Sequence, residues 1–206
     1  MTAVSPRPSS RFALEPSASV ALDTVQFIPS RWFSTTNGRS IDLCVIHTVE
    51  GDPDRPGGGD DAAENTARYC ARRPDKVSAH WFVDDDSIVR GVQDKDVAYA
   101  APGANHNGIQ IEVCGYARWT REQWLTEHLG SLCNVARLLA HYYRKAAVPI
   151  IYVDEHGLLA KHRGVTTHHD VSQAFKRSTH TDPGPGFPLH DVIQLAWHLT
   201  LSEPQL

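Results

Sequence analysis

The segment Thr166–Pro188, TTHHDVSQAFKRSTHTDPGPGFP, gathers His168, His169, Asp170, His180 and Asp182 into one short, turn-rich run. Imidazole and carboxylate are donors that zinc accepts, and a catalytic zinc usually takes three protein ligands and leaves one position for water. Two ligands can come from this run if a third arrives from elsewhere. The natural third is His47, at the end of the apolar run IDLCVIHT. A set of His47, one of His168 or His169, and Asp182 would give bound water a pKa near 7, a nucleophile for amides or esters. Hydrolysis also needs a group that moves protons. Glu112, in the apolar stretch GIQIEVCG, suits that task, because packing alone does not explain a carboxylate there.

Each of these residues also admits a plainer role. A single His at a strand end can be hydrogen-bonded structure, and His168-His169-Asp170 can form a solvated turn. Asp182 can cap the turn before Pro183-Gly184, and Glu112 can pair with an Arg. His80, in SAHWF, reads as a structural His or one that supports a ligand from behind. The twelve histidines lean the other way: seven fall late, at 156, 162, 168, 169, 180, 190 and 198, which favours metal or proton-transfer chemistry.

These groups must be held by a scaffold, and 206 residues suit one α/β domain with a sizeable core. The net charge of -4 argues against nucleic acid, whose phosphates call for a basic face. No stretch approaches the roughly 20 apolar residues that span a bilayer. The opening residues lack a continuous apolar segment of secretory type, so synthesis without a signal peptide and a cytoplasmic start are expected. Cys44, Cys70, Cys114 and Cys133 are widely spaced, with no C-x-x-C pair, and read as buried free thiols.

Residues 1–22, rich in Pro, Ser and Ala, are expected to form a loose arm, leaving 23–206 as the domain. DTVQFIPSRWF reads as an edge strand or an arm packed on the domain. Asn37-Gly38 marks a turn before the strand Ile41–Thr48, whose continuous apolar run suits a central position. His47 then lies at its C-terminal end, where α/β folds usually place their chemistry. A Gly/Pro/Asp loop at 51–62, a helix in AAENTARYCARR, and a hairpin around Asp84-Asp85-Asp86 follow, then a loop through 97–107 and the strand with Glu112. REQWLTEHLGSLCNVARLLAHYYRKA reads as one long helix with Leu125, Leu129, Leu132, Ala136, Leu139 and Tyr143 on one stripe. A short helix over about 155–162 and a closing helix in LHDVIQLAWHLTL complete a mixed central sheet flanked by helices, a single α/β domain.

Four pieces in order, IDLCVIHTVEG, SAHWFVDDD, GIQIEVCG and HHDVSQAFKRSTHTDPGPGFP, resemble the zinc-dependent N-acetylmuramoyl-L-alanine amidase family. This group is shared by phage lysins, bacterial cell-wall amidases and peptidoglycan recognition proteins. The resemblance covers roughly Ile41 to Leu201, and with FIPSRWF the style is most similar to mycobacteriophage or actinobacterial endolysin amidase domains. It implies Zn2+ held by His47, His168 and Asp182, His168 being chosen because the family pattern there is H-x-D. It implies that Glu112, at the carboxylate of the family's G-I-E strand, orients or deprotonates the water. His180 stands where many members carry an oxyanion-stabilising Lys. Ala79 replaces a Tyr of some members, and YAAPG at 99–103 replaces a common W-H-A-G.

The implied reaction cleaves the amide between N-acetylmuramic acid and L-alanine in peptidoglycan, by a monomer acting on the cell wall after release through the membrane. Loop 51–62 and segment 99–107 would flank the groove, with Asn105 and Asn107 available to bind peptide or sugar. The alternative is a peptidoglycan-binding module without catalysis, since relatives that lose a ligand become receptors; here all three ligand positions are filled.

Overall fold

In LCVIHT every side chain can be buried, and the run is rich in residues that pack well on a pleated surface. The computed structural model of the chain describes residues 22–51 and 61–202, and it places this run at the heart of a five-stranded sheet. Strand β1 (Leu43–Thr48) is buried along its whole length. It pairs in parallel with β4 (Gly108–Val113) on one side and β5 (Gly164–Thr167) on the other. The order is completed by β2 (Trp81–Val83), parallel to β4, and β3 (Ile88–Arg90), antiparallel to β2. The expected hairpin and mixed sheet are therefore present. The expected arm falls at residues outside those described, apart from Leu22 in a single 3-10 turn. Residues after it lie against the sheet through bridges of Phe27 with Arg90 and Ser34 with Val97.

Successive strand residues face opposite sides, so β1 splits into two sets. Cys44 and Ile46 join Ile109, Ile111 and Trp81 in the larger core. Over that face lie α2 (Arg121–Glu127), α3 (Leu129–Ala146) and α6 (Leu189–Ser202), contributing Trp124, Leu132, Leu139 and Val192. Trp81 Nε1 donates to Tyr142 Oη and Tyr142 donates to Asp94, which tie α3 to the sheet. Leu43 and Val45 turn to the other face. There α4 (Glu155–Leu159) and α5 (His168–Phe175) supply Leu158 and Val171, while α1 (Ala62–Arg72) covers Phe82 farther along. His47 shares the face of Leu43 and Val45, between these two patches of helix.

Three local readings differ from expectation. The long helix is two, broken at His128, because the hairpin turn docks into the junction. Asp85 accepts from His128 Nδ1, Ser131 N and Ser131 Oγ, and thereby caps the start of α3. Gly130 makes that approach possible: a Cβ there would meet the Asp85 carbonyl oxygen at 2.1 Å. The buried stripe rotates accordingly, with Tyr142 inside and Tyr143 exposed. The helix expected over 155–162 ends at Leu159, and the turn-rich run after Thr166 contains a two-turn helix, α5. Cys44, Cys70 and Cys114 are buried thiols as expected, and Cys133, expected to be buried, is half-buried.

Candidate functional site

Register delivers the site. His47 on β1 stands beside Glu112 on β4, and Ile46 pairs with Thr167, the last residue of β5. The next residue, His168, therefore emerges beside His47. It does so at the first position of α5, because Thr167 caps that helix: its hydroxyl accepts from Asp170 N. Asp170 in turn accepts from Thr167 Oγ1 and from Tyr152 Oη, which fixes the strand-to-helix corner. Asp182 returns from the following loop and is pinned by its carbonyl, which accepts from His169 N at 2.9 Å.

The result brings three ligand side chains together. His47 Nδ1 lies 3.0 Å from His168 Nδ1 and 3.4 Å from Asp182 Oδ2, and His168 Nδ1 lies 3.3 Å from Asp182 Oδ1. All three residues are buried. Zinc bonds to nitrogen and carboxylate oxygen imply tetrahedral edges of about 3.3–3.5 Å between ligand atoms, so small shifts of these side chains would accommodate that ion. Glu112 Oε1 stands just outside it, 3.9 Å from His47 Nδ1. The structure places His168, and not the exposed His169, against His47.

Electrostatics describe the same point. Burial opposes a charge on His47, yet the Glu112 and Asp182 carboxylates outweigh it and raise the imidazole to about 9. Burial pushes His168 down to about 4, with the neighbouring His47 adding to the effect. Burial alone would raise Asp182, but hydrogen bonds from His168 and His47 hold it well below the usual carboxylate range. Glu112 is raised, chiefly by burial. Two imidazole nitrogens facing each other between carboxylates call for positive charge where they meet.

His180 stacks on His168 with ring centroids 4.0 Å apart, and its Nδ1 is 3.1 Å from Asp182 Oδ1. It reaches the mouth of the site, a cavity of about 300 Å³ lined by Glu50, Ala117, Thr179, His180, Thr181 and Asp182. Glu50 had no place in the sequence reading. Its carboxylate accepts from Thr48 Oγ1 and Ala117 N, tying the end of β1 to the segment after β4. Gln110 was missed as well: its Oε1 lies 2.9 Å from His47 Nε2. The available signal was its position two residues before Glu112, on the same face of β4.

Asn105 and Asn107 are not brought to the site. Asn105 Oδ1 accepts from Ala100 N and Ala101 N, and Asn107 Nδ2 donates to Asp42. Asn107 precedes β4, five residues before Glu112 or about 16 Å along an extended strand, which puts it at the opposite end of the sheet. Segment 99–107 likewise packs Ala101 and Ala104 into the core under α5 rather than lining the mouth. Residues 52–60 of the loop expected at the groove lie outside those described. His80 is structural: its Nδ1 accepts from Gln110 N and its Nε2 donates to the Asp96 carbonyl.

Two imidazoles at the ends of parallel strands and a carboxylate from a loop, beside a partly buried Glu, make the arrangement of a hydrolase built around a metal site. The family model for N-acetylmuramoyl-L-alanine amidases, Amidase_2, matches residues 37–185, and the chain belongs to that family. It is accordingly a peptidoglycan amidase, of a family that is generally zinc-dependent. Solved structures share the fold. The hydrolase AmiA of Staphylococcus aureus, in complex with its ligand, is 17% identical over 86% of this chain and 84% of its own, with a TM-score of 0.58. A selenomethionine derivative of AmpD is 21% identical over 83% and 93%, TM-score 0.57, and PlyL is 18% identical over 84% and 96%, TM-score 0.53. A comparison with curated protein sequences found no match. Among the described residues, no helix is long and apolar enough to cross a membrane.

Proposed function

We propose that residues 23–206 form a zinc-dependent amidase domain of the phage endolysin kind, working as a monomer on the cell wall after synthesis in the cytoplasm. The observation that carries the zinc reading is the convergence of three side chains: His47 Nδ1 lies 3.0 Å from His168 Nδ1, and each of these nitrogens lies 3.3–3.4 Å from one of the two Asp182 carboxylate oxygens. A bound Zn2+ supplies a Lewis acid and a water ionisable near neutral pH. The side chains do the rest. Glu112, beside the ligands and raised by burial, takes the proton from the attacking water and returns it to the L-alanine amine as the carbon–nitrogen bond breaks. His180 sits at the mouth and gives a hydrogen bond to the oxygen that gains charge on the lactyl carbonyl.

Digestion of purified cell wall with and without a chelator tests this directly, with products identified by mass spectrometry. New L-alanine amino termini that vanish on chelation and return with zinc are expected. Cleavage that survives thorough metal removal would sink the zinc assignment.

A further inference from the structure

Gln110 is held more firmly than its neighbours in β4 require. Its backbone N–H donates to His80 Nδ1, and its carbonyl accepts from His80 N. Its side-chain Nε2 donates to the Ala104 carbonyl at 3.2 Å. A carbonyl can only accept, so the amide nitrogen must face Ala104 and the amide oxygen must face His47. Space for the amide comes from Gly108. A Cβ at that position would meet the Ala104 oxygen at 2.5 Å and Gln110 Nε2 at 2.9 Å. The carboxamide is fully buried and has no freedom to flip.

An amide oxygen cannot donate, so the bond of 2.9 Å to His47 requires a hydrogen on His47 Nε2. Nδ1, the nitrogen facing His168 and Asp182, is then the one that can give up its hydrogen and take a metal. From this geometry we infer that Gln110 is a positioning residue: it selects the Nε2–H form and the orientation of His47, and so sets which nitrogen takes the metal. The chain Ala104 carbonyl, Gln110 amide, His47 ring runs from the covering loop into the ligand set, so the packing of a loop remote from the mouth is coupled to metal affinity. Orienting partners of this kind typically contribute 10–100-fold in affinity.

The inference rests on zinc binding by His47, and two variants separate the two ideas. Gln110→Met keeps the shape but neither accepts from His47 nor donates to Ala104. Gln110→Glu keeps the acceptor and loses the donor. If Gln110 acts through His47, the zinc dissociation constant, measured by chelator competition, rises about 10–100-fold in Gln110→Met and stays within about threefold of wild type in Gln110→Glu. If Gln110 only braces the loop, both variants weaken alike, which overturns the inference; so does wild-type affinity in the Met variant. In the zinc-loaded wild type, long-range proton–nitrogen correlation should place the ring hydrogen of His47 on Nε2. A hydrogen on Nδ1 refutes the inference without any variant. A wild-type chain that takes up no zinc refutes the underlying zinc reading instead.

Discussion

Replacing Glu112 with Gln keeps size and shape while removing the proton acceptor, and so tests the division of labour in the site. General acid–base groups are worth about 10²–10⁴-fold in rate, or about 3–5 kcal/mol at 1.36 kcal/mol per decade. The ligand atoms of His47, His168 and Asp182 are untouched, and Glu112 Oε1 is not among them, at 3.9 Å from His47 Nδ1. A carboxylate roughly 4 Å from a dication contributes roughly 8 kcal/mol of attraction at an effective dielectric near 20, part of which desolvation of the carboxylate offsets. Zinc uptake by a structural-type site is worth about 10–16 kcal/mol, so the variant still fills in excess zinc. The assay is turnover on a muramyl-peptide substrate, with metal content measured on the same sample. A fall in kcat of about 10²–10⁴-fold with one zinc per chain is expected. Wild-type turnover would reduce Glu112 to a structural residue, and rate loss that tracks zinc loss would move it into the ligand set.

Other substitutions probe the rest. His47→Ala should abolish zinc binding and cell-wall lysis while leaving the circular dichroism spectrum unchanged. His180→Ala should lower kcat by about 10²–10³-fold, the usual cost of one oxyanion donor, and His180→Lys should restore most of it. In chelator, the three ligands should place the maximum in melting temperature near pH 6.5, the unperturbed His value, and the raised Glu112 shifts that maximum to lower pH. His47, raised to about 9, contributes fully below that value and loses its contribution as pH climbs toward 9. His168, lowered to about 4, loses its contribution as pH falls from 6.5 toward 4, and depressed Asp182 adds to the loss at still lower pH. A flat profile from pH 4 to 9 would contradict these environments. Gly130→Ala should destabilise by about 1–3 kcal/mol, because overlap with the Asp85 carbonyl exceeds the gain of about 1 kcal/mol in helix propensity. Thermal melting reads this as a drop of about 2–4 °C per kcal/mol.

Much of this protein is written locally. The continuous apolar run before His47 specified a buried central strand, and the apolar stretch GIQIEVCG left Glu112 as a charge that packing could not justify. Thr167, three residues before Asp170, carried a helix cap that a purely turn-rich reading of the run passed over. What the chain alone left open were facts of register and docking. The choice of His168 over His169 follows from the pairing of Ile46 with Thr167, and a one-residue slip would have exchanged the two faces. Gln110 gains meaning only because His47 comes to lie within 2.9 Å of it, and Asn105 and Asn107 lose theirs because β4 carries them to the far end of the sheet. The break at His128 likewise depends on a hairpin turn more than forty residues away. Local sequence fixes what a residue can do through its neighbours in the chain. Which nitrogen faces which carboxylate depends on contacts distant in sequence, which only packing of the whole domain brings together.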